Sequence, residues 1–259
     1  MGRSWPVSGG NLGITGWAGF ARVDGVTYSF LGDASDGASI GQPVSVQSIE
    51  VTATQTIYSF GCGRVDVKVT FINPIEPSDF TRLSLPFIYV SITATPNDGA
   101  SHSVQIYSDL SGEWLSADAS KAMTWSTTTT DNLILHSFTL AAQSQFQATD
   151  NRAEYGLGYH AMLPGEGITY QAGQDRSMRR GFATTGILNN TVDRTFREIN
   201  DKWPCFALAK DLGNITSSAG PVVFAVGLSR DPAVSYVTAD GQQSRSLFYR
   251  TQFAQDSEA

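Results

Sequence analysis

The chain reads as an all-β protein, a large antiparallel β-sandwich of the supersandwich type with very little helix. Three observations carry that reading. Apolar residues recur at every second position through long stretches, above all Ile49, Val51 and Ala53, then Val65, Val67, Val69 and Phe71. That is the period of strands packed on one face and wet on the other. Turn formers punctuate the whole length, with 25 Gly and 10 Pro in 259 residues. Only 16% of residues are charged against 41% hydrophobic, so exposed strand faces carry Ser and Thr in place of Lys and Glu. An aromatic content of 11% separates the chain from a disordered one. Its length allows one large β domain or two small ones.

Taken in order, Trp5-Pro6 and the glycine-rich Ser8 to Gly13 read as the entry to a first strand. The strand regions Ile14 to Phe20 and Ala21 to Phe30 meet at Asp24-Gly25, a hairpin turn that needs positive φ. Leu31 to Pro43 reads as a loop. The organising stretch runs from Ile49 to Ile72, two strand runs broken at Gly61-Cys62-Gly63 and stopped at Asn73-Pro74, where proline removes a ladder donor. Phe87 to Ser108 reads as a second hairpin about Asn97-Asp98-Gly99. Trp114, Trp125, Ile134 and Phe138 mark further strands. Leu163 to Gly186 reads as a polar surface excursion, and Asn190 to Asp201 as holding one helical turn. Two last strands follow at Phe206 to Ala209 and Val222 to Leu228.

The net charge is -7, from 17 basic and 24 acidic residues, and no basic cluster exceeds Arg176 to Arg180. Nucleic acid is therefore not an expected partner, since phosphate neutralisation needs clustered cations. No apolar run reaches the roughly 20 residues that span a bilayer, so no membrane partner is expected either. Cys62 and Cys205 can form one disulfide or stand as two buried thiols; thiols are favoured slightly. Two sequons, Asn189-Asn190-Thr191 and Asn214-Ile215-Thr216, lean towards secretion.

Chemistry-bearing motifs are scarce. His102, His136 and His160 lie far apart with no metal-ligand spacing, the glycine runs lack a following Lys-Ser/Thr, and no G-x-S-x-G elbow occurs. No metal or cofactor is expected. The candidate carboxylates are Asp109, Glu113, Asp118 and Glu154, with Asp109 and Glu113 at a strand end beside Trp114. Paired carboxylates suit general acid/base work when folding holds them about 5 to 10 Å apart. The plainer alternative is that they cap turns or stay solvated. The five tryptophans likewise read as core anchors before ligand platforms.

The segment Ile14 to Gly25 (ITGWAGFARVDG) resembles a signature of fungal glutaminase A-like proteins. So do Leu85-Pro86-Phe87, His102 to Asp109 with Glu113-Trp114, Phe196 to Pro204 and Gly227 to Ala233. The likeness is collinear over nearly the whole chain. It implies an N-terminal β-sandwich domain, residues 1–246, with residues 247–259 starting the linker to a helical, α/α-barrel-like domain that would be its partner. The whole family protein is a secreted, extracellular L-glutamine amidohydrolase. The chain stops where the helical domain is expected and lacks the usual signal peptide, which implies a fragment, a processed product or a shortened paralogue.

Three functions follow. As an accessory domain the chain is non-catalytic and lends the loops Ser108 to Trp114 and Arg152 to Tyr155 to the rim of the partner's active site. The binding or interface residues are then Asp109, Glu113, Trp114, Arg152, Glu154 and Tyr155. The alternative is a free-standing, lectin-like module binding a glycan or small molecule through Trp and Tyr platforms. A complete small hydrolase built on the carboxylates ranks last.

Overall fold

The computed structural model describes residues 16–32, 40–150 and 152–253. The expectations for Trp5, for the glycines before Gly13 and for most of the 31–43 loop lie outside these residues. Two large sheets face each other. One holds β1 (Trp17–Val23), β2 (Val26–Leu31), β7 (His102–Ser111), β11 (Ile168–Gln174) and β12 (Pro204–Ile215), ordered β11-β12-β7-β1-β2. Two-residue strands, Thr191–Val192 and Gln42–Pro43, extend its edges in parallel. The other sheet has nine strands. From the two-residue Arg197–Glu198 it runs through β8 (Ala122–Thr129), β9 (Ile134–Leu140), β10 (Leu157–Met162) and β13 (Val222–Ser229). It continues to β6 (Phe87–Pro96), β5 (Val65–Ile72), β4 (Gln55–Cys62) and β3 (Ser45–Val51). A separate hairpin pairs β14 (Val234–Thr238) with β15 (Gly241–Arg245). This is the sandwich that the period-two pattern requires.

Alternating inward residues of both sheets fill the core: Trp17, Val67, Ile106, Phe138, Phe206 and Phe224 are all buried. Phe138 and Phe206, one from each sheet, stack with ring centroids 4.4 Å apart. Asp24 (φ 49) and Gly25 (φ 85) make the expected turn between β1 and β2. Both cysteines are buried free thiols; burial pushes Cys62 up to about 12.

Four local expectations are corrected. The organising stretch is three strands, not two, because β3 and β4 turn at residues 52–54 and β4 continues through Gly61 and Cys62 before turning at Gly63 (φ 66). β3 is the sheet edge and wholly exposed, so Ile49 and Val51 stay out of the core. The second hairpin does not form: β6 and β7 belong to different sheets, and residues 97–101 cross the sandwich. His102 fastens that crossing, its Nδ1 2.6 Å from Asp24 Oδ2 and its Nε2 2.9 Å from Asp98 Oδ1. The 163–186 excursion is instead β11, inside the seven-stranded sheet, followed by α2 (Asp175–Thr185). α1 is the single turn Phe80–Leu83. Finally, the helical turn within 190–201 is replaced by the two short edge strands.

Candidate functional site

α2 lies on the outer face of the seven-stranded sheet. Asp175, Met178, Arg179 and Phe182 recur at helical spacing and are buried. Met178 and Phe182 pack on Phe20, Tyr107, Cys205 and Ala207. Gly186 (φ 79) ends the helix, and Arg22 donates to the Ala183 and Thr184 carbonyls, where a cation suits the helix C-terminus.

Asp109, the first candidate carboxylate, sits beneath this helix, fully buried. Arg179 grips it through Nε to Oδ2 (2.7 Å) and Nη2 to Oδ1 (2.9 Å), the two-pronged geometry that guanidinium favours. Tyr107 donates its hydroxyl to Oδ2 at 2.7 Å, and Arg179 Nη1 reaches Asp175 Oδ2 at 3.4 Å. Burial works against the Arg179 charge but Asp109 outweighs it, so Arg179 is held well above its ordinary value. Burial and the Asp109 charge push Tyr107 and Cys205 up. Asp109 therefore ties a helix to a sheet and is not solvated.

The remaining candidates meet at the end of β7. Glu113 occupies the 3-10 turn Gly112–Trp114, buried, and accepts from the Ser111 hydroxyl at 2.8 Å. Burial pushes its carboxyl up to about 7. Trp114 donates Nε1 to the Gly16 carbonyl at 2.6 Å and meets Trp17 edge-on. Arg152, 39 residues on, donates Nη1 to the carbonyls of Glu113 (2.7 Å) and Ser116 (2.9 Å). Glu154 accepts from the Ser116 hydroxyl at 2.7 Å and is paired with Lys121. Burial would raise Glu154, but the bonds from Lys121, Ser116 and Thr149 hold it below its ordinary value. The two loops singled out in the sequence are thus bound to one another. Tyr155 turns aside, its ring near Phe146 and under the Arg230 guanidinium. Asp118 caps its own turn through Ser120.

Several readings change here. Asp109, Glu113 and Glu154 neither stay solvated nor stand free as acid and base, because each is engaged in a buried bond or ion pair, whereas Asp118 caps a turn as the plainer alternative has it. Trp17 and Trp125 are core residues and Trp114 is half-buried against Trp17, so they offer no sugar platform, and the lectin-like reading loses its support. His136 and His160 come together, opposite each other on β9 and β10, and the Asp109 charge acts on His160. His136 Nε2 donates to the Ala207 carbonyl (3.1 Å) and His160 Nδ1 to that of Phe206 (3.0 Å), joining the sheets through the core. Burial pushes them down to about 3 and about 4. No group of three metal-ligating side chains occurs among the described residues. Sequence reasoning missed Arg179, Asp175 and Lys121; the Met178–Phe182 spacing ahead of Gly186 was the available signal for the first two.

A second feature lies on the outer face of the nine-stranded sheet. Phe87, Tyr89, Leu135, Tyr159, Val223 and Ala225 line an apolar groove of about 680 Å³ that continues to Leu163, Pro164 and Lys210.

Fold and site together define a β-sandwich domain held by buried ionic clamps, with an apolar trough on one outer face. Residues 54–259 match a family described as a domain of unknown function (DUF5127). The chain is 36% identical to Glutaminase A of Aspergillus oryzae over 225 residues, covering 86% of this chain and 32% of the relative. It is 28% identical over 268 residues to a probable glutaminase of Arthroderma benhamiae, covering 92% of this chain and 30% of that one. The chain belongs to the glutaminase A-like family. It spans about a third of the length of the curated relatives it matches.

Proposed function

We propose that the chain is the N-terminal, non-catalytic domain of a secreted glutaminase A-like protein, shaping the active site of the domain that hydrolyses L-glutamine to glutamate and ammonia. The observation that carries this reading is the Arg152 clamp. Arg152 fixes the Glu113–Ser116 backbone against the loop that holds Glu154, making one stiff rim from two distant segments. A rim lends shape, and shape needs its charges satisfied internally, as they are here. The names of the two relatives and the chain's one-third share of their length support the assignment. Asn189 and Asn214 are both exposed, as glycosylation in a secreted protein requires.

The test is ammonia release from glutamine. The 259-residue chain alone should release none. Joined to the remaining two thirds of the Aspergillus oryzae relative it should release ammonia, and Arg152→Ala should lower that rate. Turnover by the pure chain alone would refute the reading.

A further inference from the structure

The two outer faces of the sandwich differ. α2 covers one of them; on the other, Leu135, Tyr159 and Ala161 form a separate cluster, and the single turn Phe248–Thr251 meets the sheet at Ser229, the last residue of β13. An antiparallel sheet with one face in water carries polar residues there, yet these strands present Tyr159, Ala161, Val223, Ala225, Phe87 and Tyr89. Tyr89 is 37% exposed, Val223 41% and Leu163 73%. Exposed apolar surface gathered in one place marks an interaction site. Among the described residues Lys210 is the one charged residue lining the groove, and its Nζ also donates to the Glu166 carbonyl.

We propose that this groove seats the part of a glutaminase A-like polypeptide that the chain does not cover. The occupant presents an apolar ridge with an acceptor facing Lys210. The proposal rests on the function proposed above and names the surface it uses. The place where the chain leaves the sandwich points to this occupant. Tyr249 is buried, its amide donating to Ser84 Oγ (2.7 Å) and its hydroxyl 2.8 Å from Ser229 Oγ. Ser84 precedes the groove residue Leu85, and Gly227, two residues before Ser229, packs against the Phe87 ring. Phe253, whose amide donates to the Tyr249 carbonyl, therefore lies within one turn of the groove's rim, and a body joined after it reaches the groove without crossing the molecule. Two thirds of each relative remains to supply such a body.

Because both native thiols are buried, a single introduced cysteine reports surface access. Val223→Cys on the groove and Ser177→Cys on exposed α2 are labelled with a maleimide, in the 259-residue chain alone and joined to the remaining two thirds of the Aspergillus oryzae relative. Labelling of V223C should slow roughly tenfold or more on joining while S177C keeps its rate. If the joined protein releases ammonia but V223C is labelled as fast as in the isolated chain, the seat is wrong and the proposed function stands. If it releases none and neither cysteine is protected, both fail. Should joining fail to give a folded protein, the isolated chain still decides. Val223→Asp should keep the melting temperature and reduce binding of the apolar dye 8-anilinonaphthalene-1-sulfonate; unchanged dye binding overturns the seat. A dimer of the isolated chain that V223D abolishes would assign the groove to a second copy and overturn it too.

Discussion

The buried pair His136 and His160, set against Glu113, fixes how the stability of this domain depends on acidity. Between pH 6.5 and 4.5 the unfolded chain protonates both histidines, whose ordinary value is 6.5, while the folded chain keeps His136 neutral down to about 3 and His160 down to about 4. Lowered histidines contribute stability that is complete above 6.5 and is lost as pH falls. Glu113 works in the opposite direction, since its carboxyl, at about 7, is protonated in the folded chain and ionised in the unfolded one above 4.5. The held-down Asp24, Asp98, Asp118 and Asp193 are largely ionised in both states across this window and matter mainly below it, and Glu154 adds to the loss only at its lower end. His102, raised by Asp24 and Asp98, is charged in both states below 6.5. The unfolded chain thus binds two extra protons and the folded chain one. The net of one proton corresponds to about 1.4 kcal/mol per pH unit, or about 3 kcal/mol lost from pH 6.5 to 4.5. His160→Gln removes one of the two and should flatten the profile; Glu113→Gln removes the opposing proton and should about double the slope. Urea unfolding at pH 6.5, 5.5 and 4.5 measures all three. Identical slopes in wild type, H160Q and E113Q would refute the reasoning.

Arg179→Met leaves Asp109 buried without its counter-charge and should cost about 3–5 kcal/mol in urea unfolding, with Asp109→Asn in the same chain recovering part of the loss. Gly158→Ala puts a Cβ 2.4 Å from the Phe138 ring, and should destabilise by about 1–3 kcal/mol, read as a lower melting temperature. Ellman's reagent should titrate no thiol in the native chain and two in denaturant, because Cys62 and Cys205 are buried and held protonated; rapid native reaction of either would contradict their placement.

What the sequence discloses follows the range of the forces involved. The Asp24-Gly25 hairpin and the turn at Gly63 between β4 and β5 are local, written in alternation and turn residues, and these were legible, whereas the further turn at 52–54 was not. Asn97-Asp98-Gly99 announces a reversal equally well, but nothing in those residues says that the chain changes sheets there. α2 escaped notice because its buried stripe is half ionic: Asp175 and Arg179 occupy positions where an amphipathic helix shows Leu or Ile. The candidate site was half legible. The two loops singled out in the sequence are bound together by Arg152, on the Glu113 and Ser116 carbonyls, and by Glu154 on the Ser116 hydroxyl. The partners that explain Asp109 and Glu154, namely Arg179 and Lys121, lie 70 and 33 residues away with no spacing rule to connect them.

The pairing of β1 with β7, and of β7 with β12, has a consequence for how this protein is made. Trp17 waits for Leu110, and Leu110 for Phe206, so the middle of the smaller sheet has no complete hydrogen-bond ladder until the segment that ends at Ile215 has been synthesised. Such long-range order places folding in the millisecond-to-second regime. A ribosome carrying this nascent chain holds unpaired strand edges until Ile215 is made, so early termination before that point yields an aggregation-prone product, not a smaller domain.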